Sequence, residues 1–325
     1  MSLTVSAAIE TWPIAGEFTI SRGSRTETIV VVAEISDGTH TGRGECAPYP
    51  RYDETPRSVV AAIMSADIAD EPNRQALRQA MPAGAARNAL DCALWDLEAK
   101  RSAVSVAERC GYAELKPITT AYTLSLGSPQ AMGEAARRAA HYPLLKVKLG
   151  GDGDTARIAA VRSGARNADL IVDANEAWSD DNFIENMTAC ANAGVVLVEQ
   201  PLPADEDGML AHVAHAVPIC ADESAHVAAD LKWLAGKYDA VNIKLDKAGG
   251  LTEALDMMSQ AGARGFMAMV GCMVGTSLAM APAIILAQNA DIVDLDAPLL
   301  LARDREPGLT YTGGLVEPPP ASLWG

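Results

Sequence analysis

Short apolar runs that end in a charged residue recur through the second half of the chain. Each run predicts a buried strand, and the segments between them are long enough for one helix and two loops. The charged residues that end six of these runs are Lys148, Asp173, Glu199, Asp222, Lys244 and Asp294. From Lys148 to Lys244 the successive spacings are 25, 26, 23 and 22 residues, which is the repeat of a (β/α) barrel. Because barrel enzymes carry catalytic groups at the strand C-termini, the pattern predicts an active site as well as a fold.

The alternation predicts eight strands from about residue 116 onward. They are ITTAYTL (118–124), LLKVKL (144–149), LIVDA (170–174), VVLVE (195–199), PICAD (218–222), AVNIKL (240–245), FMAMVG (266–271) and DIVDLD (291–296). Since these runs are apolar and alternate with helical segments, we expect parallel strands that close an α/β barrel of the TIM type over residues 116–299.

The residues before the barrel follow a different order. TIVVVAEI at 28–35 predicts a strand, and ARNALDCALWDLEAK at 86–100 predicts a helix with Leu90, Leu94 and Leu97 on one face. Strands followed by helices without alternation favour a separate α+β domain over residues 1–115. We expect the proline-rich segment at about 300–325 to pack back on this domain and join it.

Composition and charge narrow the class of partner. The formal net charge of −16 argues against nucleic acid and anionic membrane, both of which need basic surface. Six scattered cysteines without zinc-like spacing indicate reduced thiols of a cytoplasmic protein, and from MSLTVSAAIETWP, which lacks a basic region and a long apolar stretch, we expect no signal peptide. The longest apolar run, LAMAPAIILA at 278–287, is too short to span a bilayer. We expect a small-molecule substrate and a homo-oligomer.

The barrel count places the charged residues relative to one another. Lys148 falls on the second strand and Lys244 on the sixth, which lie opposite each other in an eight-stranded barrel. Asp173, Glu199 and Asp222 fall on the third, fourth and fifth strands, side by side. Three converging carboxylates favour a hard cation, Mg²⁺ or its substitute Mn²⁺, over zinc. The layout is therefore a metal site with a lysine on each flank.

This layout suits proton transfer at a carbon next to a carboxylate. A metal-bound carboxylate stabilises the enediolate that forms when the neighbouring carbon loses its proton. Lysines on opposite faces of that carbon can remove the proton from one side and return it to the other, which is racemisation or epimerisation. A lysine base needs a lowered pKa. We expect repulsion from Lys146 and the cation to lower the pKa of Lys148, and burial and the metal to lower that of Lys244.

A second acidic pair, Asp294 and Asp296, ends the eighth strand. The count places this pair across the barrel from the metal, where two carboxylates can capture an ammonium group. A substrate with a carboxylate at the metal and an ammonium at its far end fits this span. A dipeptide has both charges at about the right separation.

These residues resemble the enolase superfamily and, within it, the dipeptide epimerases. The matching motifs are Lys-Val-Lys (146–148), Asp-Ala-Asn (173–175), Glu-Gln-Pro (199–201), Asp-Glu-Ser (222–224), Asn-Ile-Lys-Leu-Asp-Lys (242–247), Asp-Leu-Asp (294–296) and Ile-Ser-Arg-Gly-Ser-Arg (20–25). The resemblance covers essentially the whole chain. It implies an enolase-like modified barrel with an N-terminal capping domain, and epimerisation of L-Ala-D-Glu and L-Ala-L-Glu in murein peptide metabolism.

The resemblance also implies roles for single residues. It makes Asp173, Glu199 and Asp222 the Mg²⁺ ligands, and Lys148 and Lys244 the acid/base pair. The residues expected to bind substrate are Arg25 or Arg22, which would pair with the glutamate side chain, Thr123, Lys146, Cys272, Asp294 and Asp296. The cap loops at about 14–26 and 49–56 would close over the pocket, and the segment 271–277 would line the side-chain path, with room left by Gly275.

Two other functions fit part of the pattern. A lyase of the same superfamily, such as an o-succinylbenzoate synthase or a muconate-type cycloisomerase, uses the same lysines and metal, but an anionic substrate does not need Asp294 and Asp296. A non-catalytic metal-binding scaffold would not need the two lysines. We interpret Lys247 as a surface residue or helix start, and Glu223 as a neighbour of the metal ligands.

Overall fold

The computed structural model describes residues 3–68 and 73–325. It begins with three antiparallel strands, β1 (Thr4–Ile20), β2 (Gly23–Ser36) and β3 (Thr41–Cys46), paired in that order. The β1–β2 hairpin is long, and its register pairs Ile20 with Gly23 and Phe18 with Arg25. Arg22 therefore lies in the tight turn of the hairpin, and Arg25 lies just beyond it on the second strand.

Four helices follow these strands: α1 (Pro56–Met64), α2 (Arg74–Ala80), α3 (Ala85–Ser102) and α4 (Val106–Arg109). Helix α3 corresponds to the helix predicted at 86–100 and packs directly on β3. The close approach depends on two glycines, because a Cβ at Gly42 or Gly44 would lie 2.1 Å from a carbonyl oxygen of α3. The apolar face of α3, including Leu90, Leu94 and Leu97, is buried in the core under the sheet.

The rest of the chain alternates between strands and helices. The strands are β4 (Ile118–Thr119), β5 (Tyr122–Leu124), β6 (Leu144–Lys148), β7 (Asp169–Asp173), β8 (Val195–Glu199), β9 (Ile219–Ala221), β10 (Ala240–Lys244), β11 (Met267–Gly271), β12 (Ile292–Val293), β13 (Tyr311–Thr312) and β14 (Leu315–Val316). The helices are α5 (Pro129–Arg138), α6 (Asp154–Gly164), α7 (Asp180–Asn192), α8 (Leu231–Leu234), α9 (Leu245–Ala248), α10 (Leu251–Ala263), α11 (Ser277–Ala287) and α12 (Ala297–Leu300).

Strands β5 to β12 form one eight-stranded sheet in chain order, and every pair in it is parallel. The first and last strands meet where the N–H of Ala121 donates to the carbonyl of Val293 at 2.8 Å. The predicted α/β barrel is confirmed. Its largest core lies between the strands and the surrounding helices, and every residue of α11 is buried in it.

Two predicted strands are shorter than expected. The run 118–124 is split, because Ile118–Thr119 pairs with the C-terminal hairpin β13–β14 while only Tyr122–Leu124 joins the barrel. At the break, the N–H of Thr120 donates to the carbonyl of Gly314. In the run 291–296, regular pairing ends at Val293, so Asp296 lies beyond the strand and precedes α12.

Buried polar contacts join the N-terminal elements to the barrel. The Glu45 carboxylate on β3 accepts from the Thr276 N–H at 2.7 Å and from Arg305 at 2.8 Å. The C-terminal segment returns to α3, where the Trp324 indole donates to the carbonyl of Cys92 at 3.1 Å. These contacts hold the β1–β2 hairpin over the open end of the barrel. In the described residues, no helix is both long and apolar enough to cross a membrane.

Candidate active site

Three carboxylates meet at the C-terminal ends of neighbouring barrel strands. Asp173 ends β7, Glu199 ends β8, and Asp222 directly follows β9. All three are buried, and one carboxylate oxygen from each lies within 4.8 Å of the others. The donors are all oxygen, and Mg²⁺ is coordinated by carboxylate oxygens in proteins, so the set fits Mg²⁺.

Two lysines reach this cluster from opposite sides of the barrel. The Lys148 Nζ lies 2.6 Å from Asp173 Oδ2, and the Lys244 Nζ lies 2.6 Å from Asp222 Oδ2. Lys148 ends β6 and Lys244 ends β10, so four steps around the eight-stranded sheet separate them. The predicted flanking arrangement is therefore present as geometry.

Lys146 links the metal cluster to the acidic pair after β12. Its Nζ lies 2.7 Å from Glu199 Oε2, 2.7 Å from Asp294 Oδ2 and 3.2 Å from Asp173 Oδ2. Asp294 is therefore not isolated across the barrel from the cluster, because one ammonium group contacts both. The other oxygen of Asp294, Oδ1, is buried and has no hydrogen-bond partner among the described residues.

Asp296 completes the acidic pair. Its Oδ2 accepts from the backbone N–H of Thr123 at 2.6 Å, which ties it to β5 on the neighbouring side of the barrel. Burial and the nearby Asp294 raise the pKa of Asp296 to about 7. The thiol of Cys272 donates to the carbonyl of Asp294 at 3.3 Å, so Cys272 supports the backbone of the pair.

Neighbouring carboxylates set the direction of the pKa shifts of two buried lysines, Lys146 and Lys244. Burial by itself lowers the pKa of Lys244, but Asp222 and Glu199 face it and raise that pKa well above its usual range. The charges of these carboxylates outweigh the loss of solvent around Lys244, and the lowering expected with a bound metal stays a prediction. The pKa of Lys146 is raised for the same reason, by Asp294, Glu199 and Asp173 against burial.

The carboxylates respond to burial and to the lysines in different degrees. Burial raises the pKa of Glu199 to about 7, and the neighbouring Asp173 adds to this effect. For Asp173 and Asp222 burial acts in the same direction, but the paired lysines outweigh it and the pKa falls. The lysines therefore favour the ionised forms of Asp173 and Asp222, whereas burial disfavours the ionised form of Glu199.

The turn of the β1–β2 hairpin is fixed to the barrel by Arg22. Its guanidinium donates to Glu223 Oε1 at 2.8 Å, to the carbonyl of Asn175 at 2.9 Å and to the Tyr49 hydroxyl at 3.0 Å. Glu176 also accepts from Arg22 at 3.2 Å. These contacts occupy Arg22, and they give Glu223 a direct role in holding the hairpin.

Arg25 differs from Arg22 although both face the same cavity. Its guanidinium makes no hydrogen bond or ion pair with any residue in the described parts of the chain, and it lines the cavity wall. Of the two arginines considered from the sequence, Arg25 is the one whose charge is free to meet a ligand.

One cavity brings most of the predicted residues together. It encloses about 580 Å³, counted out to the solvent, between the hairpin and the barrel. The predicted site residues on its wall are Arg22, Arg25, Thr123, Lys146, Lys148, Asp222, Lys244, Cys272, Asp294 and Asp296. Asp173 and Glu199 lie directly behind the lysines that they contact.

Two sequence interpretations need correction. Lys247 is fully buried, not at the surface, and its Nζ lies 2.6 Å from Asp222 Oδ1. The sequence feature that could have indicated this burial is the position of Lys247 three residues after Lys244, on the one-turn helix α9 that begins beside the cluster. Gly275 does not leave room in the cavity, because a Cβ there would lie 3.0 Å from Glu45 Oε1 at the junction with β3.

Both halves of the chain match models of known protein families. Residues 131–322 match the model described as enolase C-terminal domain-like, and residues 2–111 match that of the mandelate racemase / muconate lactonizing enzyme N-terminal domain. The chain is 46% identical over 315 residues to an L-Ala-D/L-Glu epimerase of Escherichia coli (strain K12), covering 96% of this chain and 98% of the relative. It is 45% identical over 300 residues to an N-acetyl-D-glutamate racemase of a Pseudoalteromonas species, covering 91% and 95%.

Solved structures agree with these relatives. A crystal structure of an enolase family member from Agrobacterium tumefaciens, with homology to dipeptide epimerases and with bound sodium and L-Ala-L-Glu, superposes with a TM-score of 0.97 at 52% identity, covering 99% of this chain and 100% of that one. A dipeptide epimerase from Cytophaga hutchinsonii, complexed with Mg and D-Ala-L-Val, gives 0.90 at 26% identity, covering 98% and 94%.

Proposed function

Because the chain belongs to the mandelate racemase / muconate lactonizing enzyme family of the enolase superfamily, we propose that it is a Mg²⁺-dependent dipeptide epimerase. The substrate that the site favours is L-Ala-D-Glu and its epimer L-Ala-L-Glu. The observation that carries this proposal is the pair of lysines, Lys148 and Lys244, at the carboxylate cluster on opposite sides of the barrel.

Asp173, Glu199 and Asp222 would hold the Mg²⁺. When bound, the ion draws negative charge from the substrate carboxylate and so lowers the barrier to loss of the neighbouring proton. If these carboxylates held the ion, its positive charge would offset the attraction that raises the pKa of Lys244. A neutral lysine then becomes accessible at working pH, which the reaction requires of its base.

The lysines carry the proton transfer. One Nζ takes the proton from the α-carbon of the second residue, which breaks the C–H bond and leaves its electrons in the enediolate. The lysine on the other face donates its own proton to that carbon, so the new C–H bond forms with inverted configuration. Each lysine acts as base for one epimer and as acid for the other. The residues around the cluster keep the carbon between the two Nζ atoms.

The acidic pair orients the other end of the substrate. Asp294 presents a buried Oδ1 that has no hydrogen-bond partner in the described part of the chain, and Asp296 lies two residues further on. An N-terminal ammonium between them would satisfy that oxygen and would have its charge balanced. At the side-chain end, Arg25 offers an unengaged guanidinium for the carboxylate of glutamate. We therefore assign the selection of glutamate to Arg25, and the attachment of the hairpin turn to Arg22.

We extend the proposal to the setting of the reaction. Residues 1–115, with about 300–325, would form a capping domain over the barrel of residues 116–299.

An L-Ala-Glu substrate suits murein peptide recycling in the cytoplasm, and the six free cysteines favour such a reducing compartment. The net charge of −16 supports a small-molecule substrate over nucleic acid or membrane. We also propose a homo-oligomer, which light scattering of the purified protein tests.

The reaction is tested by α-proton exchange in deuterated water with Mg²⁺. We expect deuterium at the α-carbon of the second residue of L-Ala-L-Glu and L-Ala-D-Glu, together with appearance of the opposite epimer. Other dipeptides offered in parallel rank the preference for glutamate. Absence of exchange with every dipeptide tested, in protein that binds Mg²⁺, would exclude the epimerase and direct attention to lyase substrates.

A second candidate is racemisation of N-acylated glutamate. One curated relative at 45% identity is an N-acetyl-D-glutamate racemase, so the same framework supports that reaction. The pKa of Asp296, raised to about 7 mainly by burial, leaves part of this carboxyl protonated at neutral pH. A protonated Asp296 can donate to an acyl carbonyl where the ionised form would bind an ammonium. N-acetyl-D-glutamate in the same exchange assay separates the two functions.

A further inference from the structure

A second cavity lies against the active-site cavity on the side where Arg25 stands. We call it the side chamber and define it by the lining residues that the active-site cavity lacks, among them Ser24, Glu27, Ile29, Pro48 and Thr55. It encloses about 1530 Å³, counted out to the solvent. The side chamber is therefore much larger than the glutamate side chain would need.

The two cavities share part of one wall. The residues common to both are Ile20, Arg22, Arg25, Tyr49, Met273 and Val274. Only Arg22 and Arg25 are charged in this set, and Arg22 is held by Glu223, Asn175 and Tyr49. Arg25 has no such partner among the described residues, so its long side chain can change rotamer without breaking a hydrogen bond or an ion pair. A rotamer change of Arg25 can therefore open the wall between the two cavities.

We propose that the site also takes dipeptides whose second-residue side-chain carboxyl is amide-linked to a further group, with that group in the side chamber. This deepens and rests on the epimerase proposed above. The reacting end is unchanged, since the α-carboxylate and the N-terminal ammonium both remain free. The amide carbonyl retains an acceptor for Arg25, and the apolar lining, which includes Ile29 and Pro48, suits the linked chain.

The test compares two isomeric tripeptides in the exchange assay. In one, glycine is linked to the side-chain carboxyl of the glutamate in L-Ala-L-Glu; in the other, it is linked to the α-carboxyl. We expect the side-chain-linked isomer to exchange its α-proton with kcat/KM within about tenfold of L-Ala-L-Glu. The α-linked isomer has lost the carboxylate that the metal needs, so its kcat/KM should fall by about 10³-fold or more.

A matched pair of variants locates the linked group. Ile29 lines the side chamber and is 39% exposed, and Ile9, on the same sheet, is 47% exposed and lines neither cavity. Ile29→Trp places a larger side chain in the chamber beside the linked group, so we expect about a tenfold loss of kcat/KM for the side-chain-linked tripeptide and none for L-Ala-L-Glu. Ile9→Trp should leave both substrates unchanged.

The outcomes separate this inference from the proposed function. Turnover of L-Ala-L-Glu without turnover of the side-chain-linked tripeptide overturns the inference and leaves the epimerase in place. Turnover of that tripeptide at the same rate in Ile29→Trp also overturns it, because the linked group then lies elsewhere. Failure of both L-Ala-L-Glu and the tripeptide overturns the epimerase and the inference together.

Discussion

Each of the three carboxylates of the metal cluster lies near two lysines. Asp173 contacts both Lys146 and Lys148, and Asp222 contacts both Lys244 and Lys247. A buried charge that loses its only partner is costly, whereas one that keeps a second partner is still compensated. The redundancy means that either flanking lysine can be removed without leaving a bare carboxylate.

Removal of one flanking lysine should therefore affect chemistry more than folding. In Lys148→Met and Lys244→Met, we expect epimerisation to fall by about 10²–10⁴-fold, the usual contribution of a general acid or base. Each variant should still exchange the α-proton of one epimer, and the surviving epimer should differ between the two. NMR in deuterated water measures this, and circular dichroism checks the fold. Equal loss of exchange for both epimers in both variants would contradict the two-base assignment.

The acidic pair offers a test of substrate orientation. Asp296→Asn keeps an oxygen for the N–H of Thr123 but removes the negative charge. A charge-assisted hydrogen bond contributes about 1.5–3 kcal/mol, so the KM for L-Ala-L-Glu should rise about 10–100-fold. Mg²⁺ affinity, measured by calorimetry, should change by less than about twofold, because Asp296 does not contact the three metal-cluster carboxylates. A parallel loss of Mg²⁺ affinity would mean that Asp296 supports the cation instead.

The sequence predicts some of these residues better than others, for a physical reason. Residues at the ends of apolar strands, such as Lys148 and Glu199, are recognisable because the barrel forces strand ends together. Lys247 cannot be recognised in this way, because a lysine in the first turn after a strand is usually solvated. Its burial comes from the short helix α9, which directs the side chain back to Asp222. The raised pKa of Lys244 likewise depends on distances that the sequence does not contain.

At the scale of single elements, close packing between β3 and α3 positions the hairpin over the barrel. Gly42 and Gly44 let the strand approach the helix backbone more closely than any side chain would allow. The sequence shows Gly-Arg-Gly but does not show what these glycines pack against, since the partner helix lies about fifty residues later in the chain. The break between β4 and β5 was missed for a related reason, because the competing partner is the distant C-terminal hairpin.

Gly44→Ala should destabilise the protein through this contact. The new Cβ would lie 2.1 Å from the Ala89 carbonyl oxygen, so β3 or α3 must shift, and overpacking of this kind costs about 1–3 kcal/mol. The matched control is Gly262→Ala near the end of α10, where no atom lies within 4 Å of the added Cβ. That change should be neutral or stabilising by up to about 1 kcal/mol. Urea unfolding of both variants provides the comparison, and equal midpoints would contradict the packing argument.

At the scale of the whole molecule, Asp246 connects the two halves. It lies in the first turn of α9, next to the barrel strand β10. Its Oδ1 accepts from the Ala47 N–H at 3.0 Å and from the Asn88 amide at 3.0 Å. Burial raises the pKa of Asp246 to about 7. In the unfolded chain it returns to its ordinary value near 3.8, so the folded state binds more protons between these pH values.

Stability should therefore fall as pH rises from about 4 to about 7, because the folded state then pays to ionise Asp246. Asp246→Asn keeps the accepting oxygen without the charge and should make this slope shallower, while other buried carboxyls with a raised pKa, such as Glu199 and Asp296, keep their share of it. At pH 8 we expect it to be more stable than the parent by on the order of 2–4 kcal/mol, and at pH 4 nearly equal. Thermal unfolding across pH measures this, with the exposed Asp152→Asn as control. An unchanged slope in Asp246→Asn would refute the assignment.

The freedom of Arg25 has a consequence for how such a protein can diversify. The lysines and carboxylates at the base of the barrel share partners, so a replacement there disturbs several charges at once. Arg25 has no hydrogen-bond or ion-pair partner among the described residues, so replacing it leaves no buried charge without a partner there. Mutations that alter side-chain preference can therefore accumulate in the hairpin at little cost to folding, while the reaction itself is inherited unchanged. Substrate preference is the trait that we expect to drift fastest among descendants of this chain.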